Sequence, residues 1–338
     1  MRLADRLMRA FGRVLMKCFF RKIEIEGAQR FPTDGPVIVV ANHPNSLIDG
    51  VLLSSFLPRH ARLLAASILW DYLPLLPLLR AGGVIPVYRR QDVGAQAGRN
   101  DGAFRAAVGA LSEGQVLALF PEGVSHNAPH LLPLKHGAAR IAREALAAGG
   151  TEGLRIVPVG LHYDSKTQFR SNARLTIGAP VDPAAYVGAE APEEGVVQLT
   201  EALSARLRDV VEPPVAEVAR ARVPLARRVL PAAVLALASL PNGLPWLLSR
   251  RAAKGKDTDK RATWSLFAAL WLFPVGWLAF ALAASGPIAG ALPEGIPGAL
   301  AAAAGFAAGP VLGLLGIWAM DRRRGRLEEI RPPSRERP

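Results

Sequence analysis

Two stretches near the C-terminus, Thr263 to Ser285 and Ile296 to Met320, contain no charged side chain. Each is about 22 residues or more, long enough as a helix to cover the roughly 30 Å hydrocarbon layer of a bilayer. Two spanning helices at 263–285 and 296–320 are therefore expected, and the glycines and alanines of the second permit close packing against the first. A third apolar stretch, Val229 to Leu248, is interrupted by Pro241, Asn242, Gly243 and Pro245 and bracketed by Arg227/Arg228 and Arg250/Arg251. With cations at both ends, it is expected to be a re-entrant or interfacial helical hairpin over 229–248. The expected membrane region is 216–322, followed by a basic tail at 323–338.

The placement of charge says more than its sum. The formal charge is +13, with 41 Lys and Arg. Seven of these lie in the first 22 residues, ten between Arg220 and Arg261, and seven after Asp321, so most of them flank apolar segments. Nucleic-acid binding would instead need a basic face with interleaved aromatics or a known module, and neither is present. The loop between the two expected spans carries only Glu294, whereas Arg250 to Arg261 and Arg322 to Arg326 are cationic. The positive-inside rule then puts both basic flanks in the cytoplasm, making this an integral membrane protein whose globular part faces the cytoplasm. Cys18 is the sole cysteine, so there is no intramolecular disulfide and no thiolate cluster for a structural zinc.

Residues 1–22 place Leu3, Leu7, Phe11, Val14, Leu15 and Cys18 at helical spacing, with Arg6, Arg9, Arg13 and Lys17 largely off that stripe. This is an amphipathic helix suited to the interface of an anionic bilayer. The alternative is a helix packed on its own domain.

From 23 to 215, short apolar runs alternate with helical stretches. Strands are expected at Val37–Ala41, Val84–Tyr88, Val116–Phe120, Ile156–Leu161 and Leu175–Ile177, and helices at Leu47–Phe56, Ala103–Ser112, Gly137–Ala148 and Val196–Val211. The fold class is α/β, a mainly parallel sheet flanked by helices. In such a sheet functional residues gather just past the strand ends.

Four segments sit at those ends. Asn42-His43-Pro44-Asn45-Ser46-Leu47-Ile48-Asp49 brings an imidazole near a carboxylate that can fix its tautomer, which would make His43 a general base. Spacing alone also fits a turn histidine beside a helix-cap acid. Gly82 to Arg90 delivers Arg89 and Arg90, whose guanidiniums suit phosphate, to one strand end. Phe120-Pro121-Glu122-Gly123-Val124-Ser125 follows another strand, with Lys135, His136 and Gly137 entering a helix; Glu122 can hold hydroxyls or an arginine, and Gly123 lets backbone approach a ligand. Ile156-Val157-Pro158-Val159-Gly160 has no side-chain chemistry and shapes a pocket floor.

The ordered set NHPNSLID, GVIPVYR, FPEGVS and IVPVG, with KHGAARIA after the third, resembles the sequence blocks of the phospholipid/glycerol acyltransferase family over about residues 20 to 180. The resemblance implies a glycerolipid acyltransferase-like domain that moves a fatty acyl group from acyl-CoA or acyl carrier protein to a hydroxyl of glycerol 3-phosphate or 1-acylglycerol 3-phosphate in phospholipid biosynthesis. His43 and Asp49 are then the catalytic pair. Asn42, Asn45, Arg89, Arg90, Glu122, Gly123, Ser125 and Lys135 are the substrate-binding set, with the acyl thioester as cosubstrate and no metal or bound cofactor. Its partners are the bilayer, the thioester donor and the phosphorylated glycerol acceptor. Five residues separate His43 from Asp49 where the family usually has four. This resembles a subgroup that includes glycerol-3-phosphate and dihydroxyacetone-phosphate acyltransferases and leaves the acceptor open, another lysophospholipid included. Two other classes make different predictions. A serine hydrolase would use Ser125, although Gly123-Val124-Ser125-His126-Asn127 lacks the second glycine of a nucleophile elbow; a non-catalytic lipid-binding protein would be indifferent to His43→Ala.

Overall fold

Five consecutive apolar residues, Val37–Ala41, form strand β2, and all five are fully buried. Such a run alternates no polar face, so it belongs at the centre of a sheet covered on both sides. The computed structural model describes residues 3–88, 100–149, 151–187, 192–211, 218–220, 229–291, 298–324 and 327–329. The chain divides into two units, Met1–Pro213 and Pro214–Pro338.

In the first unit, β2 lies inside a seven-stranded sheet with β1 (Lys22–Glu26), β3 (Ala61–Ala66), β4 (Ile85–Val87), β5 (Val116–Leu119), β6 (Arg155–Tyr163) and β7 (Asn172–Ile177), in the order β1-β7-β6-β2-β5-β3-β4. All neighbours are parallel except β6 and β7. The expected mainly parallel α/β sheet is what the chain forms, with β7 and β1 reversed at one edge. Pro86, which has no N–H to donate, sits on the edge strand β4.

Helices α1 (Leu3–Phe19), α2 (Leu47–Phe56), α3 (Leu76–Ala81), α4 (Asp101–Ser112), α5 (Gly137–Ala148) and α6 (Pro192–Val211) cover the sheet. Ile38, Val40, Leu117, Leu119 and Ile156 pack beneath alanine-rich faces of α4 and α5 and beneath Val196, Leu199 and Leu203 of α6. Alanine is small and favours helix, so both helices form readily and approach the sheet closely. Each buried Leu or Ile here contributes on the order of 1.5–3 kcal/mol.

Helix α1 separates two faces that its apolar residues alone do not distinguish. It packs on α2 through Gly12, where an added Cβ would collide with the Ser55 side chain, and buries Met16 and Phe19. Arg13 Nε donates to Ser55 O at 2.9 Å. Leu3, Leu7, Phe11 and Val14 face away, with Leu3 at 72% exposure, while Leu15 and Cys18 are half-buried. The domain therefore seats α1 through Gly12, Arg13, Met16 and Phe19 and leaves most of the expected apolar stripe bare. Arg170 fixes the far end: Nη1 donates to the carbonyls of Lys17, Cys18 and Phe20 at 2.5, 3.0 and 2.7 Å, satisfying acceptors that a helix terminus leaves open.

The second unit holds α7 (Val229–Ala252), α8 (Thr258–Ala291) and α9 (Gly298–Arg324), mutually packed, and a short antiparallel pair, β8 (Val218–Arg220) with β9 (Leu327–Glu329). Three of its helices, over Pro231–Ala252, Thr258–Ser285 and Ala302–Arg322, are long and apolar enough to cross a membrane. The two charge-free stretches are helical, as expected. The 229–248 hairpin is not formed: Val229–Ala252 is one continuous helix. Its interruptions are absorbed by neighbours. Pro245 cannot bond the Pro241 carbonyl, and Gly276 of α8 brings its backbone up to Pro245 and that carbonyl. Asn242 donates to Ala238 O and Gly309 O at 3.0 and 3.2 Å and accepts from Trp277 Nε1 at 2.8 Å. An apolar layer offers no water to a buried amide, so these partners on α7, α8 and α9 make the helix tolerable there.

Candidate active site

The connection from β5 to β6 carries the chain past β2, and these three neighbouring parallel strands bring their ends together at the sheet's C-terminal edge. The turn after β2 comes first. Ser46 adopts φ 47° and ψ −127°, a region rarely open to residues with a side chain, and Ile48 N donates to Asn45 O at 3.1 Å to close the turn. This strained reversal folds the start of α2 back beneath His43. Asp49, in the first turn of α2, then lies under the imidazole.

Asp49 is fully buried and all its hydrogen bonds are local to the site. Its Oδ2 meets His43 Nδ1 at 2.9 Å and accepts from Asn45 N at 2.7 Å, while Oδ1 accepts from the Tyr163 hydroxyl at 2.5 Å. Burial first, then the Asp49 charge and the hydrogen bond to it, push the Tyr163 phenol well above its ordinary value, so it stays a donor. With Nδ1 of His43 facing a carboxylate, that nitrogen carries the proton and Nε2 is left as the basic atom. The ring lies flat on Phe120, centroids 3.9 Å apart and 7° from parallel. His43 is thus held by one hydrogen bond and one stacked ring, with Nε2 making no hydrogen bond among the described residues.

The turn after β5 buttresses the first. Glu122 is buried; its Oε1 accepts from His43 N at 3.0 Å, and its Oε2 accepts from Leu132 N at 2.7 Å and meets His126 Nε2 at 2.5 Å. His126 N donates to His43 O at 3.1 Å, and His126 Nδ1 accepts from Ala128 N at 3.2 Å. Gly123 has φ 76°, and the Lys135 side chain lies so close over it that any Cβ would collide with its ammonium and stem. This glycine brings a cation to the mouth of the turn.

The other expected substrate-binding residues fall as follows. The Asn42 amide bridges strands, donating to Leu161 O at 3.0 Å and accepting from Leu161 N at 2.7 Å. Asn45 uses its main-chain N–H on Asp49 and its side-chain amide on Lys166 O at 3.3 Å. Ser125 is half-buried on the Glu122 turn. Arg89 and Arg90 lie outside the described residues. Tyr163, His126 and Phe120 are the site residues that motif reading missed. His126 directly follows the third block, four residues after Glu122, but Tyr163 lies 114 positions from Asp49 and has no local signal. Among the described residues, no three His, Cys, Asp or Glu side chains converge on a point that a metal ion could occupy.

A buried carboxylate thus orients a histidine at the C-terminal edge of a mainly parallel sheet, beside a glycine turn covered by a lysine. Residues 22–162 match the family model described as Acyltransferase. The chain is 36% identical over 116 residues to the glycerol-3-phosphate O-acyltransferase 2 of Saccharomyces cerevisiae, an alignment covering 33% of this chain and 16% of the yeast protein. It is 31% identical to the 1-acyl-sn-glycerol-3-phosphate acyltransferase alpha of Ovis aries, over 46% of this chain and 50% of that one. An uncharacterized acyltransferase of Schizosaccharomyces pombe is 26% identical over 52% of this chain and 38% of its own length. The chain thus spans half or less of the length of these relatives. The solved 1-acyl-sn-glycerophosphate (LPA) acyltransferase of Thermotoga maritima aligns over 61% of this chain and 79% of its own at a TM-score of 0.46 and 23% identity.

Proposed function

We propose that this protein transfers a fatty acyl group from a thioester, acyl-CoA or acyl carrier protein, to a hydroxyl of glycerol 3-phosphate or its 1-acyl derivative at a membrane surface. The observation that carries this reading is the state of His43: Nδ1 committed to Asp49 at 2.9 Å and Nε2 uncommitted at the sheet's C-terminal edge. Nε2 removes the acceptor's hydroxyl proton as the oxygen attacks the thioester carbonyl carbon. The C–S bond then breaks, and the imidazolium returns the proton to the departing thiolate. The acceptor hydroxyl stands where a hydrolase has its serine, so no acyl-enzyme forms. Lys135, packed over Gly123, is placed to hold the acceptor phosphate, with Arg89 and Arg90 as further ligands. The yeast and sheep relatives, named for glycerol 3-phosphate and its 1-acyl derivative, favour these as acceptors.

The bilayer partner is supported by two features, one in each unit. The bare stripe of Leu3, Leu7, Phe11 and Val14 on α1 suits an interface, and α3 packs beside α1 with Tyr72 and Leu73 exposed just before it. In the second unit, β8 before α7 pairs with β9 after α9, which keeps the entry and exit of the three helices together. This pairing supports an even number of crossings, by α8 and α9, with α7 inside the apolar layer and the basic flanks and catalytic domain on the cytoplasmic face.

The test is labelled acyl-CoA offered to purified full-length protein with glycerol 3-phosphate, 1-acylglycerol 3-phosphate and dihydroxyacetone phosphate in parallel. Acyl ester on one of the first two supports the reading. Free fatty acid released without acceptor, with Ser125 trapped by a serine reagent, makes it a hydrolase; no turnover of any donor leaves only lipid binding. For the topology, proteolysis of inside-out vesicles reaches Arg250 to Arg261, and protection there contradicts it.

A further inference from the structure

We propose that Tyr163 is a positioning residue for the Asp49–His43 pair, and that it is held in place by Phe20 at the end of α1. The inference rests on His43 being the base. Pairing of β2 with β6 ends at Ala41 and Val159, but β6 runs on against β7 to Tyr163. That extension carries the phenol to Asp49.

The two carboxylate oxygens of Asp49 have separate duties. Oδ2 serves His43 Nδ1 and Asn45 N, whereas Oδ1 has the Tyr163 hydroxyl at 2.5 Å. Removing that hydroxyl would leave Oδ1 in a fully buried setting without this donor and free the carboxylate to rotate about its last torsion. Among the described residues Tyr163 bonds Asp49 and stacks on Phe20 without contacting His43, so it acts through Asp49. Its own seat comes from the N-terminus: the Phe20 ring, 1% exposed, stacks on Tyr163 with centroids 5.5 Å apart and 28° between planes. Phe20 is fixed in turn by its carbonyl on Arg170 Nη1 at 2.7 Å, the guanidinium that also closes the end of α1. A continuous chain of contacts therefore runs from the helix with the bare apolar stripe through Phe20, Tyr163 and Asp49 to the imidazole. Through that chain, the seating of α1 bears directly on the geometry of the base.

The charged and titratable groups facing His43 are Asp49 beneath the ring, Glu122 on its main-chain N–H and His126 on its carbonyl. Tyr163 shares the Asp49 charge with His43.

Full-length wild-type protein, Tyr163→Phe, Phe20→Leu and His43→Ala are compared for kcat, both KM values and melting temperature, using acyl-CoA and the acceptor that wild type acylates. Tyr163→Phe is expected to lower kcat roughly tenfold, the rate equivalent of one lost hydrogen bond to a charged group, with both KM values within about twofold. Phe20→Leu keeps the hydroxyl but loosens the ring, and shows a smaller shift in the same direction; it carries the test if Tyr163→Phe does not fold. Folded variants with wild-type kcat, or with a raised KM alone, overturn the role of Tyr163 while an inactive His43→Ala leaves the base in place. His43→Ala at the wild-type rate overturns the reading beneath it.

Discussion

Two turns at the C-terminal edge of the sheet carry the same pair of residue types and use them differently. After β2, His43 meets the buried carboxylate of Asp49; after β5, His126 meets the buried carboxylate of Glu122. Both imidazole side chains are 16% exposed. The difference lies in the second nitrogen. His126 Nδ1 accepts from Ala128 N while Nε2 faces Glu122, so both ring atoms are spent on structure. Among the described residues His43 has only Nδ1 hydrogen-bonded, with its ring laid on Phe120. A histidine–carboxylate contact is thus insufficient to mark a base, which also needs one nitrogen left over.

Changing each carboxylate separates the turns most sharply. Asp49→Asn puts an amide where His43 Nδ1 and Asn45 N need an acceptor, permits the wrong tautomer and is expected to cost about 10³-fold in kcat with folding retained. A loss under tenfold, measured by initial rates, would remove the distinction. Glu122→Gln instead sets an NH2 against the main-chain N–H of His43 or Leu132. It should lower stability by about 2–4 kcal/mol in chemical denaturation and reduce activity in proportion to the displacement of His43. An unchanged denaturation midpoint would count against the buttress role. Next comes His126→Gln, expected to cost about 1 kcal/mol of stability and less than tenfold in rate.

The smallest effect is expected at the far side of the domain, where His60 lies 3.8 Å from Asp5 of α1. Burial, outweighing the pull of Asp5 and aided by Arg9 and Arg62, holds its imidazole below its ordinary value. The unfolded chain then binds the proton more readily, so this contribution to stability is present above about pH 6.5 and is lost as pH falls through the folded value. Melting followed from pH 7.5 to 5.5 should fall less steeply for His60→Gln than for wild type, and parallel slopes would rule His60 out.

Legibility followed locality. β2, α2 and α5 match the spans read from sequence because each is an uninterrupted local pattern. β1 escaped because its two isoleucines alternate with charges and its partner β7 lies about 150 residues on. β3, Ala61–Ala66, is rich in Ala and Leu and has the composition of a helix; only its place between β5 and β4 makes it a strand. The 229–248 segment misled for the converse reason, since Pro241 and Pro245 break a helix in water but are supported here by Gly276 and Asn242. At the site, the His43–Asp49 contact was readable from spacing and the motif blocks. The duties of Asn42 and Tyr163 were not, because they are set by β6 more than 110 residues away.

The most direct measurement compares initial rates of acyl transfer by His43→Ala and His126→Ala, each checked for folding by its melting temperature, with labelled acyl-CoA and the acceptor that wild type uses. The account predicts a loss of about 10³-fold for the first and less than tenfold for the second. Equal losses, or a folded His43→Ala protein working at the wild-type rate, would contradict it.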